Sequence, residues 1–144
     1  MRILVILSTL IAVISSCDPA DNRLMVVNNS STDIYVFYSC DSSLKNIQML
    51  RNGYFSNEKG DSIYIQADEY VQKMSTQNIP RKGFRAWKHY LANCVNGEIH
   101  FFIYLDSAVN KHTEEELKNR RMYVKHFVYS LDELEKNSWK IRYP

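Results

Sequence analysis

The chain has 144 residues, of which 45% are hydrophobic and 24% are charged, so its composition excludes an intrinsically disordered protein. Its formal charge of +2 would fall by one on loss of Arg2, and so small a charge produces no overall field that attracts nucleic acid. Ten tyrosines beside four glycines favour β-structure, because tyrosine suits a pleated, half-buried surface.

The first sixteen residues have the order of a secretory signal. Arg2 supplies a positive charge, an apolar stretch occupies residues 3–14, and two small serines precede Cys17. The apolar stretch is shorter than the roughly 20 residues that a transmembrane helix needs. This order resembles a bacterial lipobox, which implies cleavage before Cys17 and acylation of Cys17 with chains such as palmitate. An uncleaved anchor and a plain secretory signal are the alternatives.

The signal divides the chain into three parts. Residues 1–16 are the lipoprotein signal peptide, residues 17–22 are the lipidated N-terminus and a short spacer, and residues 23–144 are a single globular domain. We therefore predict a lipid-anchored protein of the cell envelope, held on the outer membrane at its periplasmic or its surface face.

Two β-rich segments open the domain. Residues 23–27 and 33–38 flank a turn cluster at residues 28–31, and we predict that they form a hairpin. The second segment is apolar on both alternating faces, which is typical of a strand in the middle of a layered structure. The next segments are a long excursion at 39–61 with one short strand near Tyr54, a strand at 62–66, and a loop or short helix at 67–77.

The second half of the domain mixes helices and strands. After a loop at 78–83, apolar residues at spacings of three and four predict a helix over 84–94. Residues 98–105 form a strand that is apolar on both faces and is expected to be central. Capping boxes predict two further helices, which begin at Thr113 and Ser130. Strands at 122–129 and 139–143 complete the domain.

About six strands with two or three short helices predict a mainly β fold. We expect an antiparallel β-sandwich or sheet, and a single-sheet α+β arrangement is the alternative. With Cys17 acylated, Cys40 and Cys94 remain as a pair in an exported protein. A disulfide between them would close a long loop, and two buried free thiols are the alternative.

No motif predicts catalysis, a cofactor or a metal site. The four histidines share no metal-ligand spacing, and the sequence contains neither a glycine-rich phosphate loop nor a Gly-x-Ser-x-Gly motif. We therefore do not expect an enzyme.

The stretch 81–90 is basic with interleaved aromatic residues. Outside the cytoplasm its aromatic rings could stack on the apolar faces of a sugar, so we expect contact with a glycan or an envelope protein. The candidate contact residues are Arg85, Trp87, Lys88 and Tyr90. The alternative places Phe84 and Trp87 in the core, with the cations on the exposed side.

Two tripeptides resemble the Asp-Ser/Thr-apolar sequon that some Bacteroides-type bacteria O-glycosylate outside the cytoplasm. They are Asp61-Ser62-Ile63 and Asp106-Ser107-Ala108, which makes Ser62 and Ser107 candidate O-glycosylation sites.

Three motifs give the chain a resemblance to small uncharacterised lipoproteins of Bacteroides-type bacteria. They are the aromatic strand Phe101-Phe102-Ile103-Tyr104-Leu105-Asp106, the segment Tyr129-Ser130-Leu131-Asp132-Glu133-Leu134, and the ending Asn137-Ser138-Trp139-Lys140-Ile141-Arg142-Tyr143-Pro144. The resemblance implies an envelope location and supplies no catalytic residues. We therefore expect a protein- or glycan-binding accessory module, and a small envelope hydrolase or a structural spacer is the alternative.

Overall fold

The computed structural model describes residues 19–56 and 62–144. The predicted signal peptide and Cys17 lie outside these residues. The described chain is mostly β, which confirms the predicted class. Its strands are β1 (Ala20–Asp21), β2 (Met25–Asn28), β3 (Ile34–Ser39), β4 (Gly53–Ser56), β5 (Ser62–Ile65), β6 (Tyr70–Val71), β7 (Ser75–Asn78), β8 (Arg81–Lys82), β9 (Glu98–Leu105), β10 (Lys125–Ser130) and β11 (Lys140–Tyr143). Its α-helices are α1 (Ala86–Ala92), α2 (Asp106–Lys111), α3 (Glu114–Asn119) and α4 (Leu131–Lys136).

An antiparallel four-stranded sheet forms the middle of the fold. Its strand order is β10-β9-β3-β6, so the two segments predicted to be central, β3 and β9, pair with each other. Side chains along a strand alternate between the two faces of its sheet. In β3, Ile34 and Val36 therefore enter one hydrophobic cluster, while Tyr35 and Phe37 enter a second.

The first cluster lies between the central sheet and a three-stranded sheet. That second sheet has the order β11-β2-β7, with β11 parallel and β7 antiparallel to β2. Helices α1 and α4 add Trp87 and Leu134 to the same cluster, and neither side chain is exposed to solvent. This face of the molecule is therefore a sheet packed on a sheet.

The second cluster covers the opposite face of the central sheet with helices and an irregular segment. Helix α2 contributes Val109 and helix α3 contributes Leu117. The segment after β3 contributes three more buried side chains, those of Leu44, Ile47 and Met49. Because the described strands form several sheets, the arrangement differs from the single-sheet alternative.

The predicted hairpin between the first two long strands is wrong. Strand β2 pairs with β11 and β7, whereas β3 pairs with β9 and β6. The reason is Asn28, whose buried side-chain amide donates to the carbonyls of Thr32, Val71 and Gln72 at 2.8–3.3 Å. These bonds hold the chain where it passes from β2 in one sheet to β3 in the other, so the two strands do not form a hairpin.

Segments without a clear apolar pattern account for the other differences. The stretch 67–77, which was ambiguous between loop and helix, contains β6 and most of β7. Strand β7 is polar, and backbone hydrogen bonds to β2 hold it in the sheet. Helix α2 begins directly at Asp106, where a simple strand end was expected. Both predicted capping boxes are confirmed, at Thr113 with Glu116 and at Ser130 with Glu133. Across the residues that the structure describes, no helix has the length and apolarity to cross a membrane.

We predict that Asn28→Asp lowers the free energy of unfolding by at least about 2 kcal/mol, because it turns a buried donor into a buried acceptor that faces three carbonyls. Urea denaturation followed by circular dichroism measures this change. Asn29→Asp is the matched control, since Asn29 is exposed, and it should alter stability by less than about 0.5 kcal/mol. Equal losses in the two variants would contradict this role of Asn28.

Candidate functional site

The structure separates the four candidate contact residues of the basic stretch. Trp87 is fully buried, and its indole N–H donates to the carbonyl of Ile79 at 3.2 Å. A buried ring cannot stack on a sugar, so the expectation that Trp87 contacts a ligand is wrong. The alternative, which places Phe84 and Trp87 in the core, is correct for Trp87. It is not correct for Phe84, whose side chain is 68% exposed.

The two candidate cations contact residues other than Tyr90. The ammonium of Lys88 forms an ion pair with Glu135, at the end of α4. The guanidinium of Arg85 lies 5.1 Å from the ring centre of Phe84. Tyr90 therefore keeps its candidate role with other partners.

Tyr90 and Tyr38 form one wall of a cavity. Their rings meet edge to face, with centroids 5.7 Å apart. The guanidinium of Arg81 lies 3.8 Å from the centre of the Tyr90 ring and donates to Tyr38 Oη at 3.2 Å. The buried Trp87 ring supports Tyr38 from behind at 4.9 Å. These contacts hold both tyrosine rings in fixed orientations.

We call this space the tyrosine cavity. It has a volume of about 250 Å³ and is lined by Phe37, Tyr38, Asn46, Ile47, Gln48, Leu50, Glu69 and Tyr90. Segment 46–50 forms its opposite wall. That segment is held in place because Ile47 and Met49 are buried and because the Lys118 ammonium donates to the Ile47 carbonyl.

Among the described residues, Glu69 supplies the one carboxyl side chain that lines the tyrosine cavity. Its backbone carbonyl accepts from the Val36 N–H at 2.9 Å, which places it beside β3. Its carboxylate Oε2 is buried and has no hydrogen-bond partner among the residues described. Burial raises the pKa of this carboxyl, and the nearby Asp68 raises it further. An acceptor of this kind is poised to bind a donor that enters the cavity.

Burial also raises the pKa values of Tyr38 and Tyr90, so both phenols keep their protons at physiological pH. Each Oη can then donate and accept a hydrogen bond. The cavity thus combines two tyrosine rings, one carboxylate and the amides of Asn46 and Gln48. Small-molecule sites combine apolar walls with a few convergent polar groups in the same way.

A disulfide stands beside the tyrosine cavity. Cys40 and Cys94 are bonded, with Cα atoms 4.6 Å apart. Cys40 directly follows β3, the strand that carries Tyr38, and Cys94 lies just beyond α1, the helix that carries Tyr90. The bond therefore joins the chain next to these two rings. The two cysteines are 54 residues apart, and closing a loop of that length stabilises the fold by about 4 kcal/mol on the chain-entropy estimate.

Tyr38, Glu69 and Arg81 supply much of the chemistry of the site, and none of them was among the sequence candidates. Tyr38 ends a strand that is apolar on both faces, so its pattern indicated core. Glu69 lies in the stretch that was ambiguous between loop and helix. Arg81 belongs to the basic stretch, and only the tertiary contact with Tyr90 distinguishes it from the other cations there.

The remaining candidates lie elsewhere. Ser62 and Ser107 are exposed, which glycosylation requires, and their modification remains a prediction. His100 and His126 lie in neighbouring strands with ring nitrogens 3.0 Å apart, and burial lowers the pKa of His126. Within residues 19–56 and 62–144, no group of three or more His, Cys, Asp or Glu side chains could hold a metal ion.

Comparison of the chain with protein-family models, with characterised proteins and with solved structures gave no match. The resemblance to small envelope lipoproteins therefore remains a prediction, and the roles of the cavity residues follow from their geometry alone.

We predict that Glu69→Gln raises the free energy of unfolding at pH 7 by roughly 1 kcal/mol, because it removes a partly buried charge whose Oε2 has no partner among the described residues. A carboxyl group whose pKa is raised in the folded state contributes stability below pH 4.5, its ordinary pKa. That contribution is lost as the pH rises through the folded-state pKa. The advantage of the variant should therefore grow from pH 4 to pH 7.

Urea denaturation at several pH values measures this difference. The exposed Glu115 supplies the matched control, and Glu115→Gln should change stability by less than about 0.5 kcal/mol at each pH. A Glu69→Gln variant that is less stable than the parent at pH 7 would show that the carboxylate has a stabilising partner.

Proposed function

We propose that the protein is a lipid-anchored module of the cell envelope that binds a glycan in the tyrosine cavity. One observation supports this most directly: two oriented tyrosine rings line the same cavity as Glu69, whose carboxylate Oε2 is buried and has no partner among the described residues. Sugars present C–H groups that pack on aromatic faces and hydroxyls that donate to carboxylates and amides. The cavity offers both kinds of contact within about 250 Å³.

The proposed anchor is acylated Cys17. Support comes from the sequence, where a short apolar stretch and two serines precede the cysteine. Each buried methylene of an acyl chain contributes about 0.8 kcal/mol, so two or three chains retain a protein on a bilayer. The proposed location is the outer membrane, at its periplasmic or its surface face.

The geometry favours binding over hydrolysis. Glycoside hydrolases that act through carboxylates use a pair of them on either side of the scissile bond, about 5 to 9.5 Å apart. Among the described residues that line the tyrosine cavity, Glu69 supplies the only carboxylate. The cavity also favours binding over a purely structural spacer, since a spacer has no use for a buried carboxylate oxygen that lacks a partner among the described residues.

We expect the protein to bind at least one member of a panel of malto-, xylo-, manno- and laminari-oligosaccharides in isothermal titration calorimetry. Tyr90→Ala should weaken that binding at least tenfold, equivalent to about 1.4 kcal/mol, because it removes one stacking ring. Tyr38→Phe keeps the ring and removes one hydroxyl, so a smaller loss is expected.

Tyr54→Ala is the matched control, since Tyr54 is a 75% exposed tyrosine that does not line the tyrosine cavity. Thermal denaturation establishes that each variant is folded. Unchanged affinity in folded Tyr90→Ala would contradict the proposed site. Capture of an envelope protein without any sugar binding would favour the protein-binding version of the module.

For the anchor, we expect Cys17→Ala to release the protein from the membrane fraction of cells and to abolish the mass increase of acylation. Intact-mass measurement of the purified parent should show a chain that begins at Cys17 and carries acyl groups. A Cys17→Ala protein that remains membrane-bound at the parental level would favour an uncleaved anchor.

A further inference from the structure

The proposed acyl anchor lies very close to one particular face of the domain. Two peptide units separate Cys17 from Pro19, the first residue that the structure describes, so their Cα atoms are at most about 7 Å apart. Strand β1 follows at once and pairs with β8 in the register Ala20 to Lys82 and Asp21 to Arg81. The proposed anchor is therefore attached to the chain close to β1 and β8.

The start of the domain is tied firmly to helix α1. The buried carboxylate of Asp21 accepts from Arg23 Nε at 2.8 Å and from the Trp87 backbone N–H at 3.1 Å. Hydrogen bonding to Arg23, and to a lesser extent to Trp87, lowers the pKa of Asp21. Asp21 thereby caps α1 from a different element, and the chain leaving the anchor is fixed to the turn before α1.

That turn presents an exposed aromatic side chain. Phe84 is 68% exposed and lies between two residues with positive φ, Gly83 at 109° and Arg85 at 51°. A left-handed conformation is costly for a residue with a side chain, so Arg85 adds a local energetic cost to the turn that leaves Phe84 exposed. Phe84 also lines the same open depression as Pro19 and Ala20, which has a volume of about 550 Å³.

The charge around Phe84 is positive. Lys82 and Arg85 are exposed, whereas the carboxylate of Asp21 is neutralised by Arg23. Asp18 is the one acidic residue in the link to Cys17, and the two exposed cations outnumber it. Cations near an anionic lipid surface contribute about 1 kcal/mol each.

We propose that Phe84, Lys82 and Arg85 form a docking face that lies on the anionic phospholipid surface to which acylated Cys17 attaches the protein, with the Phe84 ring at the boundary between headgroups and acyl chains. This inference depends on the proposed acylation of Cys17. The apolar face of an interfacial amphipathic helix enters a bilayer by about 5 to 10 Å, and the short link from the anchor permits Phe84 to reach a similar depth.

The docking face sets the orientation of the domain as well as its attachment. Lipid on Cys17 alone would permit the domain to tumble about the link. A second contact at Phe84 removes that freedom, because two points on one rigid unit touch the same surface. The β4–β5 hairpin carries Tyr54 and Tyr64 as an exposed pair, and these residues do not line the depression beside Pro19.

The test uses the acylated protein in vesicles of phosphatidylethanolamine and phosphatidylglycerol with brominated acyl chains. Bromine quenches indole fluorescence on contact, so Phe84→Trp reports whether this position enters the bilayer. We expect the added emission to fall at least twofold relative to unbrominated vesicles, after subtraction of the parent signal from Trp87 and Trp139, which are both buried. Tyr64→Trp is the matched control, and its added emission should be unchanged.

A further variant tests the charges. Lys82→Glu with Arg85→Glu should reduce the quenching of Phe84→Trp in these vesicles and should have a smaller effect when phosphatidylglycerol is replaced by phosphatidylcholine. Since both side chains are exposed, the substitutions should leave the fold intact, as circular dichroism can verify.

Three outcomes would overturn the docking face, and they are distinguishable from one another. Acylated, vesicle-bound protein without quenching at Phe84→Trp would remove the docking face and leave the anchor in place. Equal quenching at Phe84→Trp and Tyr64→Trp would show a domain without a preferred face. An intact mass without acyl groups would remove the anchor and the docking face together.

Discussion

The pairing of β3 with β9 is the constraint on which the rest of the fold depends. Both strands are apolar on both faces, so neither can meet water without a large loss of hydrophobic free energy. One face is covered by the β11-β2-β7 sheet with two helices, and the other by α2, α3 and the segment around Ile47. The short strands and helices gain most of their stability by covering this pair, since helices of six residues are unstable alone.

The tyrosine cavity lies where these covering layers fail to close. Tyr38 is at the end of β3, beyond the fully buried Phe37, and Tyr90 is on the partly exposed side of α1. Glu69 enters because its backbone carbonyl accepts from Val36, which brings the residue before β6 against β3. A site at the margin of a core can keep aromatic rings oriented by packing and still leave them accessible to a ligand.

Sequence patterns predicted the parts of the fold that depend on local chemistry. The capping boxes at Thr113 and Ser130 and the two-sided strands β3 and β9 are confirmed, because caps and alternation are encoded within a few residues. The pairing of β2 was predicted wrongly, because the buried amide bonds of Asn28 reach carbonyls as far away as Gln72. Within the site, Tyr90 was a candidate from its aromatic, basic surroundings. Glu69 could not be identified as a candidate from the sequence, since its burial depends on backbone contact with a distant strand.

The Cys40–Cys94 bond has a consequence for binding as well as for folding. It joins the chain two residues beyond Tyr38 to the chain four residues beyond Tyr90, so it limits how far the two rings can separate. When the two rings already stand at the spacing of the bound state, binding costs less conformational entropy than when binding must bring the rings together. Reduction would leave every cavity residue present and weaken their preorganisation, so the affinity for a ligand, as well as the stability of the fold, depends on this bond.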